Sequence, residues 1–222
     1  MRNTIVLCFL LFIGFAFGQH KKDETVFRSE QGKKIKYAYN LPKEYNSNKK
    51  YHVLITPGGG TADDSNDFLF WGSNTKDYGW ILIETNGTIR PGNMKVVQEF
   101  LDHLKQKFQP KGNKFHIMGF SANSIGAFKM VLNFPGYFHS VTGVPGHPRT
   151  TNKRELIKLK NVKVNFIVGE RDGYWLSSAK KFNNTLKELG IEVKLQIVKN
   201  GGHVLREIIG DRFMGYMEWL KE

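Results

Sequence analysis

Short apolar runs alternate with helix-patterned stretches along most of this chain, and that alternation limits the possible folds more than any other feature. Residues 33–41, KKIKYAYNL, alternate polar and apolar and predict a strand closed by Pro42. YHVLITP (51–57), WILIET (80–85), KFHIMGF (114–120), FHSVTGV (138–144), VKVNFIVG (162–169) and EVKLQIV (192–198) predict further strands. Between them Val96, Val97, Phe100, Leu101, Leu104 and Phe108 recur at helical spacing across 93–108. Ala127, Met130, Val131 and Phe134 mark a second helix that Pro135-Gly136 ends, and a short helical segment follows over 151–159. Ala179, Phe182, Leu186 and Leu189 predict a helix over 176–189, stopped by Gly190. A closing helix is expected from about Val204 to Leu220. Strands that are nearly continuous apolar runs have both faces buried, so they belong to a mostly parallel sheet with helices on each side. The expected class is α/β.

The N-terminus follows a different pattern. Arg2 is followed by an almost wholly apolar stretch from Thr4 to Phe17, and Ala16-Phe17-Gly18 places small residues at −3 and −1. This predicts a secretory signal over residues 1–18, cleaved between Gly18 and Gln19, with one folded domain over 19–222 and a secreted or periplasmic location. A bilayer span needs about 20 apolar residues, and this run is shorter, so no stable membrane anchor is expected after cleavage. The only cysteine, Cys8, leaves with the signal, so the mature chain is expected to have no disulfide and no thiolate chemistry. The formal net charge is +13, yet the lysines are scattered and no nucleic-acid motif accompanies them. A solvated basic surface is expected, with no nucleic-acid partner.

In parallel sheets the chemistry collects at the carboxyl ends of the strands. Gly58-Gly59-Gly60 follow 51–57, Ser121 follows 114–120, Glu170-Arg171-Asp172 follow 162–169, and Asn200-Gly201-Gly202-His203 follow 192–198. A serine hydroxyl needs a base to take its proton, a role open to His203. The imidazole needs a carboxylate on its other nitrogen, and Asp172 is the candidate, with Glu170 the runner-up. An oxyanion needs backbone N–H donors. Ala122, at a helix start, and Gly59, where no side chain obstructs close approach, are the candidates. The order Ser, Asp, His is that of α/β-hydrolases, whose elbow motif is Gly-x-Ser-x-Gly. Here Asn123 stands at the second glycine. A second register, Ala122-Asn123-Ser124-Ile125-Gly126, would put Ser124 at the turn, but the apolar strand stops at Phe120, too early for it.

Other residues have simpler readings. His147, in VPGHPRT, lies at the same strand edge and either lines the pocket or is a loop residue. His52, His103, His116 and His139 occupy strand or helix positions without metal spacing, so no metal site is expected. Asp63-Asp64-Asp67 fit no calcium loop and read as a solvated turn and helix start. Trp71, Tyr78 and Trp80 are core candidates. Asn86-Gly-Thr88 and Asn183-Asn-Thr185 are glycan acceptor sequences, relevant only in a source that glycosylates.

From about residue 33 to the C-terminus the chain resembles the α/β-hydrolase superfamily, and most its small capless serine esterases of the esterase D, feruloyl esterase and polyhydroxybutyrate depolymerase type. LPKEYNSNKKYHVLITPGGG is similar to the family's entry strand and oxyanion loop, GFSANSIGAFKMVLNFPGYFHSV to its elbow and helix, and IVGERD and NGGH to its acid and histidine turns. The resemblance implies a triad of Ser121, Asp172 and His203, an oxyanion hole from Gly59 and Ala122, and no cofactor. Two departures stand out: Pro57 replaces the usual histidine, and Asn123-Ser124 replace the usual Gly-Gly. An altered pocket wall is expected from the second. The segment between 144 and 162 is too short for a lid domain, and an open site suits short acyl groups or esters displayed on a polysaccharide. The implied activity is carboxylic-ester hydrolysis through an acyl-serine. A peptidase on the same fold and a non-catalytic binding protein are the rival readings.

Overall fold

The structure, a computed structural model, describes residues 25–57, 78–85, 93–208 and 211–222. The signal segment, the glycine turn with Gly59, the acidic cluster, Trp71 and the Asn86 acceptor lie outside the described residues.

Eight strands form one sheet. They are β1 (Thr25–Arg28), β2 (Lys34–Asn40), β3 (His52–Pro57), β4 (Trp80–Thr85), β5 (Phe115–Gly119), β6 (Phe138–Gly143), β7 (Lys163–Gly169) and β8 (Val193–Val198). Their order is β1-β2-β4-β3-β5-β6-β7-β8. β1 pairs antiparallel with β2 and β2 with β4, while every pairing from β4 to β8 is parallel. β3 to β7 are buried almost throughout, as their apolar runs require, whereas edge strand β8 is half-buried. The chain steps from β3 outward to β4, then returns to lay β5 on the other side of β3. The carboxyl ends of β3 and β5 therefore flank a topological switch point, where such sheets bind ligands.

The described helices are α1 (Met94–Phe108), α2 (Ala122–Asn133), α3 (Lys153–Leu156), α4 (Gly173–Glu188) and α5 (Asp211–Met217), with short 3-10 turns between them. α1 starts where the Asn93 side chain accepts the Val96 N–H at 3.3 Å, and it buries the predicted apolar stripe. α1, α2 and α4 pack on one face of the sheet with Val53, Ile55, Ile117 and Phe166. Phe213, Met214 and Met217 of α5 pack on the other with Leu54, Trp80, Leu82 and Met118. Strand alternation sends neighbours such as Ile55 and Leu54 to opposite faces. Trp80 is core, as expected, and Tyr78 packs against the same cluster. Among the described residues, no helix is long and apolar enough to cross a membrane.

Three details differ from expectation. β1 was not foreseen. The closing helix is not continuous: a 3-10 turn at Arg206–Ile208 precedes α5, and another at Glu218–Lys221 follows it. Leu205 has φ 53°, a left-handed conformation that no α-helix contains, so the helix cannot begin at Val204. Asn183 is buried within α4, so the Asn183-Asn-Thr185 acceptor is inaccessible to a glycan in the folded state.

At the amino ends of β3, β5 and β6 three histidines meet. His52 Nδ1 and His116 Nε2 share a hydrogen bond of 3.0 Å, His116 Nδ1 and Ser140 Oγ one of 2.8 Å, and the His139 ring lies 5.2 Å from that of His116. Burial holds His52 down to about 4, helped by Lys111, Lys221 and His139. Burial also holds His116 well below the ordinary imidazole range, with His52, His139, Lys163 and Lys221 adding to it. His139 is lowered by burial, Lys163 and Lys114, against the opposing pull of the Leu220 backbone and Glu192. The unfolded chain therefore binds protons first as pH falls below about 6.5, and stability declines from there toward the folded-state value near 4. The expected result is a marked fall in Tm between pH 7.5 and pH 4.5, made smaller in His52→Gln. An identical fall in the variant would remove His52 from the explanation.

Candidate active site

Ser121 sits between β5 and α2 with φ 51° and ψ −126°. Such angles in a non-glycine residue cost on the order of 1–3 kcal/mol and persist only where the surroundings enforce them. Here the Ser121 N–H donates to the Pro145 carbonyl at 3.0 Å. Its own carbonyl accepts from the Ser124 N–H at 3.0 Å and the Ser124 hydroxyl at 2.6 Å. Ser124 is fully buried in α2, so the second register is not the one the chain adopts.

The turn is tight at one place. A Cβ on Gly119 would lie 2.4 Å from Ser124 Cα, and one on Gly146 would lie 2.3 Å from Ser124 Cβ. Position 124 is pinched between two glycines, and serine is small enough for it. Asn123 is half-buried in the first turn of α2 and is not among the residues with positive φ. The backbone tolerance of asparagine is therefore not what admits it. Ala122, exposed, is the first residue of α2. A helix-start N–H has no intrahelical acceptor and carries the positive end of the helix dipole.

Asp172 occupies the N-cap position of α4, but its side chain makes no capping bond. The carboxylate instead meets His203: Asp172 Oδ2 lies 2.7 Å from His203 Nδ1, and His203 Nε2 lies 2.9 Å from Ser121 Oγ. The structure thus brings Ser121, His203 and Asp172 into one hydrogen-bonded chain, although 82 residues separate serine from histidine. The Asp172 side chain is 11% exposed and that of His203 40%, so the carboxylate is sheltered while the imidazole faces solvent. Two turns pack together to achieve this. The Arg171 N–H donates to the Gly201 carbonyl at 2.9 Å, and a Cβ on Gly169 would fall 2.4 Å from the Gly201 and Gly202 carbonyl oxygens. Glu170, the runner-up carboxylate, accepts the Asn200 N–H at 2.9 Å and braces the histidine turn. Gly59 lies outside the described residues.

Aromatic rings surround His203. Phe120 is 5.5 Å away and Trp175 5.9 Å, centroid to centroid. His147 is a loop residue, and a buried one. It stacks on Phe182 at 5.2 Å, contacts Trp175 at 5.1 Å, and accepts the Arg149 N–H on Nδ1 at 3.1 Å. Burial, seconded by Arg149, lowers its affinity for a proton, and the Arg149 bond keeps the Nδ1 lone pair engaged. Periodicity missed Trp175 and Tyr174, because it placed the helix start at 176, whereas α4 begins at Gly173. Their place directly after Asp172-Gly173 was the available signal. Among the described residues no group of histidine, cysteine or carboxylate side chains is arranged to hold a metal ion.

No protein-family model matches the chain, and no curated protein matches it. Solved structures do. A thermostable esterase superposes with TM-score 0.67 at 16% identity over 90% of this chain and 62% of its own. Dipeptidyl peptidase 4 of Porphyromonas gingivalis gives 0.65 at 14% identity over 90% of this chain and 35% of its own. A ferulic acid esterase gives 0.62 at 17% identity over 90% of this chain and 95% of its own. The chain spans less than two thirds of the thermostable esterase and about a third of the peptidase. At these identities the shared property is the fold: this chain has the α/β-hydrolase fold.

Proposed function

We propose that this α/β-hydrolase fold is a serine hydrolase cleaving carboxylic esters, of short acyl groups or carried on a polysaccharide, through an acyl-serine intermediate and without a cofactor. The observation that carries the proposal is the Ser121–His203–Asp172 chain, with the serine held in strained backbone at the start of α2. His203 Nε2 takes the proton of the Ser121 hydroxyl as Oγ attacks the ester carbonyl carbon. Asp172 keeps the imidazole in the tautomer with a hydrogen on Nδ1 and stabilises the imidazolium that forms. The carbonyl oxygen becomes an oxyanion facing the Ala122 N–H, with Gly59 N–H as the second donor. Collapse breaks the bond to the alcohol oxygen, which leaves with the proton from His203. Water then repeats the sequence, with His203 as base, and releases the acid and free Ser121.

The ester reading is supported by the likeness to a ferulic acid esterase, and the peptidase reading, by a likeness over the same 90% of this chain, remains its rival in the test below. The segment between β6 and β7 holds one four-residue helix and one 3-10 turn, which supports an open site and short acyl groups. The N-terminal pattern supports export after cleavage between Gly18 and Gln19. The test is a panel of p-nitrophenyl esters of rising chain length beside aminoacyl-anilides, run on protein collected from outside the cytoplasm, whose intact mass reports the cleavage. The expected result is ester turnover highest for acetyl to butyryl. Faster turnover of the anilides would move the reading to a peptidase, a rise toward dodecanoyl would indicate a covered lipid groove, and a retained N-terminus would refute cleavage.

A further inference from the structure

His203 hands its proton to the departing alcohol, so on the ester-hydrolase reading, on which this inference rests, the alcohol moiety leaves beside the imidazole. What lies beside that imidazole is aromatic and open. Trp175 is half-buried with its ring 5.9 Å from His203. Tyr174 stands edge-on to it at 5.4 Å and is 68% exposed, the most exposed of the large hydrophobic side chains among the described residues. Below them His147 contacts Trp175 at 5.1 Å and Tyr174 at 6.2 Å and is itself stacked on Phe182. An exposed ring, Tyr174, and a half-buried one, Trp175, are thus backed by a buried third, which limits the freedom lost when something binds on them.

We propose that the exposed face of Tyr174, with Trp175 standing edge-on beside it as a side wall, forms a platform for a sugar ring in the alcohol part of the ester, which makes the substrate an acylated saccharide. The platform is one-sided: Tyr174 faces water, and a flat aryl alcohol laid on it would keep its second apolar face wet. A pyranose suits this arrangement, with C–H groups against the Tyr174 face and hydroxyls in solvent. Tyrosine and tryptophan combine an apolar body with a polar handle for such half-wet contacts.

The test compares three acetyl esters that differ in alcohol only: methyl 2-O-acetyl-β-xylopyranoside, phenyl acetate and ethyl acetate. For Tyr174→Ala, kcat/KM on the xyloside is expected to fall roughly five- to tenfold more than on ethyl acetate, with Tyr174→Phe keeping most of the xyloside activity because the ring remains. A fall of equal size on all three esters, or a larger fall on phenyl acetate than on the xyloside, overturns the platform and leaves the ester-hydrolase reading standing. Wild-type protein that cleaves none of the three overturns that reading and the platform with it.

Discussion

Ser121→Ala is expected to abolish ester hydrolysis, with a loss on the order of 10⁶ in kcat, and to end covalent labelling by a fluorophosphonate. The size follows from the geometry. Ser121 Oγ, 2.9 Å from His203 Nε2, is the hydroxyl in reach of a base that also holds a carboxylate. What survives its removal is only what substrate binding and the oxyanion donors contribute. Ser124→Ala is the control. It removes a hydroxyl that donates to the Ser121 carbonyl, a bond contributing about 1 kcal/mol, and leaves the Ser121–His203 contact in place. Activity and labelling should both remain measurable. Undiminished labelling of the Ser121→Ala protein would discard Ser121 as nucleophile, and wild-type protein that takes up no label would point to a binding protein on a hydrolase fold.

Asp172→Asn is expected to reduce kcat by about 10⁴ with little change in fold. Asparagine matches the carboxylate in shape, but its NH₂ group can donate to Nδ1. That favours the tautomer with the hydrogen on Nε2, in which the imidazole has no lone pair for the serine proton. Glu170→Gln should lose far less, because an amide oxygen can still accept the Asn200 N–H that Glu170 accepts now. The two carboxylates stand two residues apart in one turn, so the pair isolates orientation from local charge. If Glu170→Gln suffered the larger loss and Asp172→Asn stayed near wild type, the orienting role would pass to Glu170.

The central sheet was readable because β3 to β7 are apolar almost without interruption, a pattern that burial on both faces demands. β1 escaped notice for the opposite reason. Four residues including Arg28, half-buried and exposed by turns, form a strand only because β2 offers a partner, and no local pattern records a partner. The closing helix was overdrawn because its apolar spacing continues through Leu205, whose left-handed φ no helix contains. At the site, the strand-end positions of Ser121, Asp172 and His203 were readable from order alone. The constraint at the elbow was only half so: Gly119, the motif's first glycine, meets Ser124 from the same turn, but Gly146 reaches it from the loop after β6. The motif directs attention to position 123, while the space is scarcest at 124. Trp175 and Tyr174 escaped because the apolar spacing of α4 is regular only from 176 onward, and spacing does not say which rings are left in water.

The 82 residues between Ser121 and His203 also impose an order in time. A ribosome adding roughly 5–20 residues per second delivers the serine about 4 to 16 s before the histidine. Throughout that interval the hydroxyl lacks the His203 imidazole, and for most of it the strand that carries the histidine turn, β8, does not yet exist to pair with β7. The hydrogen-bonded chain is completed by a late-arriving edge strand, not by the interior of the sheet. A chain interrupted before residue 203 can therefore assemble most of its sheet and still lack the imidazole, so on the proposed reading it has no base for Ser121.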